Sequence, residues 1–234
     1  MNKRFKQSVL GSALVVATGL AQAEVTANVA AVSDYLFRGI SQSSNAAIQG
    51  GLDYSDASGI YAGTWLSNID FGGEVEVDLY AGYGGETGGG LGYDVGVLYY
   101  WYPDSGGDQT GSELDYGEIT FGLSMGMFSA NIAYTAYGET SNAPFNTGDI
   151  YFSVGADIPL QNALSLGLTL GYYSFEDELD DDSESYAHFA VGLGKDVGDF
   201  GSVAVNMEFT NLDEDHATLN DDGPNVWLGW SKEF

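Results

Sequence analysis

The chain has 234 residues, of which 34 are acidic and six basic, with no cysteine and a formal net charge of −28. So acidic a chain does not bind nucleic acid, whose phosphates demand Lys and Arg, and without cysteine it has neither disulfides nor thiol chemistry. Its 44% hydrophobic and 14% aromatic residues, with 34 glycines, argue against the disorder of charged, apolar-poor chains and for a strand-rich fold.

The first residues carry an export pattern. Lys3, Arg4 and Lys6 precede a mostly apolar run from Ser8 to Leu20, and Ala21-Gln22-Ala23 forms an A-x-A cleavage site. This predicts a secretory signal peptide over 1–23 and a mature chain over 24–234, starting at Glu24. The run is shorter than the roughly 20 residues of a spanning helix. Cleavage removes three positive charges and no acid, which moves −28 to −31 and leaves Arg38, Lys195 and Lys232 as the basic residues.

No later segment approaches 18 consecutive apolar residues, so a membrane form of this chain has to be a closed barrel, in which every backbone group is paired. Strands are expected at about 24–37, 46–55, 59–70, 73–84, 90–101, 114–124, 126–137, 147–158, 162–175, 185–196, 199–211 and 224–234. Their mark is a period of two. Val75, Val77, Leu79, Ala81 and Tyr83 alternate with Glu74, Glu76, Asp78, Tyr80 and Gly82, and Leu164, Leu166, Leu168, Leu170 and Tyr172 alternate with small polar residues.

Alternation also fits a β-sandwich, and the connections decide between the two. They are generally longer at 38–45, 102–113, 138–146, 176–184 and 212–223, and short near 56–58, 86–89, 125, 159–161 and 197–198; only 71–72 breaks the rhythm. An even strand count with short periplasmic turns and longer external loops is the pattern of an outer-membrane barrel. The expected fold is therefore an all-β, antiparallel transmembrane barrel of about 12 strands with acidic external loops, in the outer membrane of a Gram-negative bacterium. Clusters such as Tyr99-Tyr100-Trp101-Tyr102 and Tyr172-Tyr173 fit aromatic girdles, and Trp230 and Phe234 on one face of the last strand fit a signal for the barrel assembly machinery.

Residues Ala27 to Gln42, with Asp34-Tyr35-Leu36-Phe37-Arg38-Gly39, then Ala47 to Tyr54, Gly63 to Asn68 and Glu74 to Asp78, resemble the N-terminal signature of the Gcw_chp family, also called TorF-type porins. The resemblance covers about the first quarter of the mature chain. It implies an outer-membrane barrel and a porin role, and brings no catalytic residues.

By parity the lumen would carry Asn28, Asp34, Arg38, Gln49, Asp53, Glu76, Asp78, Asp94, Glu118, His188, Asn206 and Glu208. Ionisable groups there mark a path or a plug. On a continuous strand Asp34 and Arg38 would share a face about 13 Å apart, so each needs partners on other strands, with Asp53, Glu76 or Asp78 expected for Arg38. Carboxylate-lined pores favour cations; the expected function is a porin passing small cationic or neutral solutes. The alternative is a non-conducting structural barrel whose acidic loops, at 176–184 and 212–223, bind divalent cations and lipopolysaccharide. Hard oxygens of this kind suit Ca²⁺ or Mg²⁺, although no EF-hand spacing is present, and no cofactor is expected. The third class is an outer-membrane lipid hydrolase using His188 and a serine from an adjacent strand. No G-x-S-x-G, H-E-x-x-H or P-loop pattern supports it, and the chain is expected not to be an enzyme.

Overall fold

A computed structural model of the protein describes residues 23–43, 45–70, 73–103, 105, 114–138, 146–176, 185–211 and 224–234. The strands are β1 (Glu24–Val32), β2 (Leu36–Phe37), β3 (Ile40–Ser41), β4 (Ala47–Ser55), β5 (Ile60–Asn68), β6 (Val75–Glu86), β7 (Leu91–Trp101), β8 (Tyr116–Met125), β9 (Phe128–Gly138), β10 (Ile150–Pro159), β11 (Leu164–Ser174), β12 (Tyr186–Asp196), β13 (Ser202–Thr210) and β14 (Asn225–Glu233). β1 and β4–β14 form one closed antiparallel barrel of twelve strands, sealed where β1 pairs with β14 through Asn28–Glu233 to Val32–Gly229. Closure leaves no unpaired edge, the condition for a sheet in lipid. Of the leader expected over 1–23, residues 1–22 lie outside the described residues.

Side chains sort by the parity of each strand. Residues pointing outward stay apolar and open: Val97 is 56% exposed, Ile119 50%, Leu170 54% and Leu228 60%. So continuous an apolar belt is far larger than the patches that soluble monomers expose. It is a lipid-facing surface. The inward parity carries glycine, small polar, tyrosine and acidic residues.

All short connections, at 56–59, 87–90, 126–127, 160–163 and 197–201, lie at one end of the barrel, together with the start of β1 and the finish of β14. That is the turn end; the other is the loop end.

The first strand departs from expectation. Rather than running to residue 37, it stops at Val32. Ser33 is tied to Leu228 of β14 by two hydrogen bonds, Ser33 N to the Leu228 carbonyl at 2.8 Å and Leu228 N to Ser33 Oγ at 2.9 Å. The chain then leaves the wall, and β2 and β3 pair as a separate two-stranded ribbon through Leu36–Ser41 and Phe37–Ile40. Its turn consists of Arg38 and Gly39, both at positive φ, 51° and 89°, as a two-residue hairpin loop requires. The segment expected as a solvent loop at 38–45 is instead folded inward: Tyr35, Leu36, Phe37, Ser41, Gln42 and Ser43 are all buried.

Candidate functional site

The ribbon carries Arg38 across the lumen. Its Nη1 and Nη2 donate to Glu118 Oε1 and Oε2 of β8 at 2.8 and 2.7 Å, and the two side chains are only 9% and 1% exposed. The guanidinium carbon lies 4.2 Å from the ring centre of Tyr151 on β10, 4.8 Å from Tyr173 on β11 and 4.6 Å from Phe37. The Tyr186 hydroxyl of β12 donates to the Arg38 carbonyl at 3.0 Å, and the Tyr100 hydroxyl of β7 to Glu118 Oε2 at 3.2 Å. These strands form the wall opposite β1 and β4, from which the ribbon springs. A bidentate, charge-assisted pair shielded from water belongs to the strong class of hydrogen bonds, and flanking rings add cation–π attraction. Gly39 completes the docking: a β-carbon there would sit 2.7 Å from His188 Cβ and 2.8 Å from Thr210 Cγ2. Only a glycine lets the backbone lie so close.

The neck of the ribbon is braced separately. Ser41 and Ser43 hydroxyls donate to Asp34 Oδ1 at 2.6 and 3.3 Å, and the Tyr35 hydroxyl donates to Glu76 Oε1 of β6 at 3.0 Å. Glu76 and Asp78 are buried neighbours on one face of β6, and Asp78 Oδ1 has no hydrogen-bond partner among the described residues. Around the ribbon, Tyr100, Tyr102, Tyr116, Tyr173, Tyr186 and Trp227 are buried, with the Tyr100 and Tyr116 rings stacked 4.1 Å apart. The loop end of the lumen is therefore packed like a protein core.

Toward the turn end the lumen opens. Inward positions there carry Thr120, Gly122, Ser124, Ser129, Asn131, Ser153, Gly155 and Thr169, too small to fill the centre. A cavity of about 350 Å³ results, with Arg38, Glu118, His188 and Glu208 at its closed end. Ser124 and Asn131 face inward and yet are exposed, so this vestibule communicates with the turn end. Tyr61 and Tyr80 line its β5–β6 side; their hydroxyls donate to Asp94 Oδ1, at 3.1 Å, and to Asp53 Oδ1, at 2.5 Å. The Tyr80 ring lies flat over Gly63, where a β-carbon would approach it to 2.5 Å.

Residues 16–226 match Gcw_chp, described as a bacterial protein of unknown function. The chain belongs to the Gcw_chp family. No curated protein matches the sequence. Among solved structures, the KdgM porin superposes with a TM-score of 0.57 at 8% identity, over 89% of this chain and 99% of that one. The NanC porin gives 0.56 at 10% identity, over 89% and 98%. At such identities the likeness is one of fold: the Gcw_chp chain has the closed barrel fold of these porins.

In this Gcw_chp barrel, Asp53, Glu76, Asp78, Asp94, Glu118, His188 and Glu208 all face the lumen, as do Asn28, Gln49 and Asn206, but they fall into separate groups. Asn28 Nδ2 donates to Asp53 at 3.1 Å, away from the ribbon tip. Arg38 pairs with Glu118, not with Asp53, Glu76 or Asp78, because it rides on the ribbon across the lumen and not on the first strand. Asp34 likewise sits in the ribbon neck. The girdle assignment is corrected in part: Tyr99, Trp101 and Tyr172 face outward, whereas Tyr100, Tyr102 and Tyr173 are buried inside. Parity carried that signal, since Tyr100 shares its face with Asp94. His188 Nε2 meets the Tyr151 hydroxyl at 2.8 Å, not a serine, and its Nδ1 is 3.9 Å from Glu208 Oε2. Trp230 Nε1 donates to the Phe200 carbonyl at 2.7 Å, and Phe234 is 68% exposed beneath Lys232 Nζ, 4.8 Å from its ring centre. The acidic stretches 177–184 and 212–223, and His216 with them, lie outside the described residues.

Proposed function

We propose that the protein is an outer-membrane channel for small cationic or neutral solutes, with an open periplasmic vestibule and an external mouth narrowed by its first loop. One observation carries this: the turn end of the lumen is an open, carboxylate-bearing cavity, while the loop end is stopped by a two-stranded ribbon whose tip docks through the Arg38–Glu118 ion pair and its flanking rings. A barrel built as a plug would be packed along its whole length. A ribbon that leaves the wall at Ser33 and docks its tip across the lumen is the element whose undocking would open the external mouth, as a gate requires. Carboxylates at Asp94, Asp157, Glu118 and Glu208 face a lumen whose one lining cation among the described residues, Arg38, is neutralised by Glu118, so the field favours cations over anions.

The channel is placed in the outer membrane with its apolar belt in lipid, after export behind residues 1–23 and insertion by the assembly machinery reading Trp230 and Phe234. Its acidic external loops would meet divalent cations and lipopolysaccharide. His188 is engaged by a tyrosine, and no serine–histidine pair occurs among the described residues, which supports a non-enzymatic role. The packed tyrosine layer at the loop end favours a second reading, a barrel that does not conduct. Liposome swelling separates the two. Proteoliposomes of the refolded mature chain should admit small amines and neutral sugars faster than acidic sugars of equal size. Swelling no faster than empty liposomes for any of these solutes would leave the structural barrel.

A further inference from the structure

We infer that the vestibule is a binding site for small molecules carrying a primary ammonium group. This inference rests on the reading of the barrel as a passage, and names the class of solute held on the way through. Asp94 and Asn131 stand on either side of Gly122 in the middle of the wall: a β-carbon at Gly122 would lie 3.0 Å from Asn131 Oδ1 and 3.6 Å from Asp94 Cβ. Asp94 Oδ1 already takes the Tyr61 hydroxyl, while Asp94 Oδ2 is buried with no partner among the described residues. Asn131 turns its Nδ2 toward Ser153 Oγ, at 3.5 Å, which leaves its oxygen toward the glycine notch. Two acceptors thus stand on either side of the small-residue notch at Gly122.

A second, independent feature lies at the closed end. His188 is 5% exposed and its Nδ1 has no hydrogen-bond partner among the described residues. With Nε2 engaged by Tyr151 and Glu208 Oε2 3.9 Å from Nδ1, the imidazole edge and the Glu208 carboxylate stand side by side at the closed end. The unpartnered Asp94 oxygen asks for N–H or O–H, and the neighbouring carboxylates of Asp157 and Glu208 ask for positive charge.

Other ligands fit less well. An anion meets carboxylates, and Arg38 has both guanidinium ends committed to Glu118. A bare metal ion needs converging ligands, and no group of three or more His, Asp or Glu that could hold one occurs among the described residues. A quaternary ammonium has the charge but no N–H. A primary ammonium supplies both, and the rings of Tyr61 and Tyr80 line the cavity beside its alkyl–ammonium end. The cavity, about 350 Å³, lies within the range of small-molecule sites.

The test is calorimetric titration of the refolded mature barrel in detergent with 1,4-diaminobutane, 1,4-butanediol and tetramethylammonium. Saturable binding of the diamine alone is expected, weakened about tenfold or more in Asp94→Asn, which keeps the shape of the side chain and removes its charge. Asn131→Leu, which keeps the carboxylate and removes the second acceptor, should weaken it too. Equal binding of the diol or of tetramethylammonium, no binding of the diamine, or indifference to both substitutions would overturn the site. Conductance recorded on the same preparation separates the two claims: ion passage without diamine binding removes the site and leaves the channel, and diamine binding without passage does the reverse.

Discussion

Arg38→Ala is the perturbation whose consequence the structure fixes best. The guanidinium is the partner of both Glu118 oxygens, and its removal leaves a carboxylate 1% exposed with the Tyr100 hydroxyl as its donor. Removing one member of a buried pair costs about 3–5 kcal/mol, most of it from the stranded charge. The three ring contacts are lost as well, and the positive φ at this position is unfavourable for alanine as for arginine, so backbone strain does not change the sum. If the pair holds the ribbon down, the undocked population should rise by roughly 10²- to 4 × 10³-fold, at 1.4 kcal/mol per factor of ten. Hydrogen exchange read by mass spectrometry over 35–43 should show that loss of protection, while peptides from β10 and β11 keep theirs. Arg38→Ala combined with Glu118→Gln should recover part of it, because the stranded charge is gone. Protection over 35–43 unchanged from wild type would refute the claim that this pair anchors the ribbon.

Other consequences follow from single residues. Gly39→Val places a branched side chain at φ 89° against His188 and Thr210; backbone strain alone costs about 1–2 kcal/mol, and exchange over 35–43 should rise as for Arg38→Ala. Gly63→Leu must displace the Tyr80 ring and break its bond to Asp53, destabilising the barrel by about 1–3 kcal/mol in denaturant titration. Asp56 lies in a turn outside the membrane; hydrogen bonds from the Ser58 hydroxyl and amide lower its carboxyl below the ordinary 3.8. That contribution is complete above pH 3.8 and disappears as pH falls through the lower folded value, so carboxyl NMR should place Asp56 below 3.8 and Ser58→Ala should return it toward that value. Phe234→Ala, at an exposed ring that packs against Lys232 alone, should leave the melting temperature of refolded barrel within a few degrees yet lower its yield in the outer membrane; an undiminished yield would count against an assembly role.

The twelve wall strands were legible because lipid on one side and a polar lumen on the other impose a strict period of two. Turn chemistry then set their boundaries within a few residues, as β6 and β11 illustrate. The lumenal carboxylates followed from the same parity. The ribbon did not. Residues 33–37 continue an alternating pattern, and nothing local distinguishes a strand that stays in the wall from one that turns inward at Ser33. What turns it is distant: β14 holding Ser33, Glu118 receiving Arg38, and tyrosines from four strands closing around the tip. Arg-Gly is also not among the commonest dipeptides for a two-residue hairpin, where Asn-Gly or Asp-Gly is usual. The inner tyrosines were within reach of the parity rule and were obscured because clustered aromatics equally suit a girdle.

The most direct test of the central claim is single-channel conductance of the refolded mature barrel in planar bilayers under a salt gradient, beside Arg38→Ala. A ribbon anchored by the Arg38–Glu118 pair predicts small, cation-selective steps in wild type and larger, longer-lived steps in the variant. Bilayers that stay silent with both proteins, although each is folded and inserted, would contradict the account.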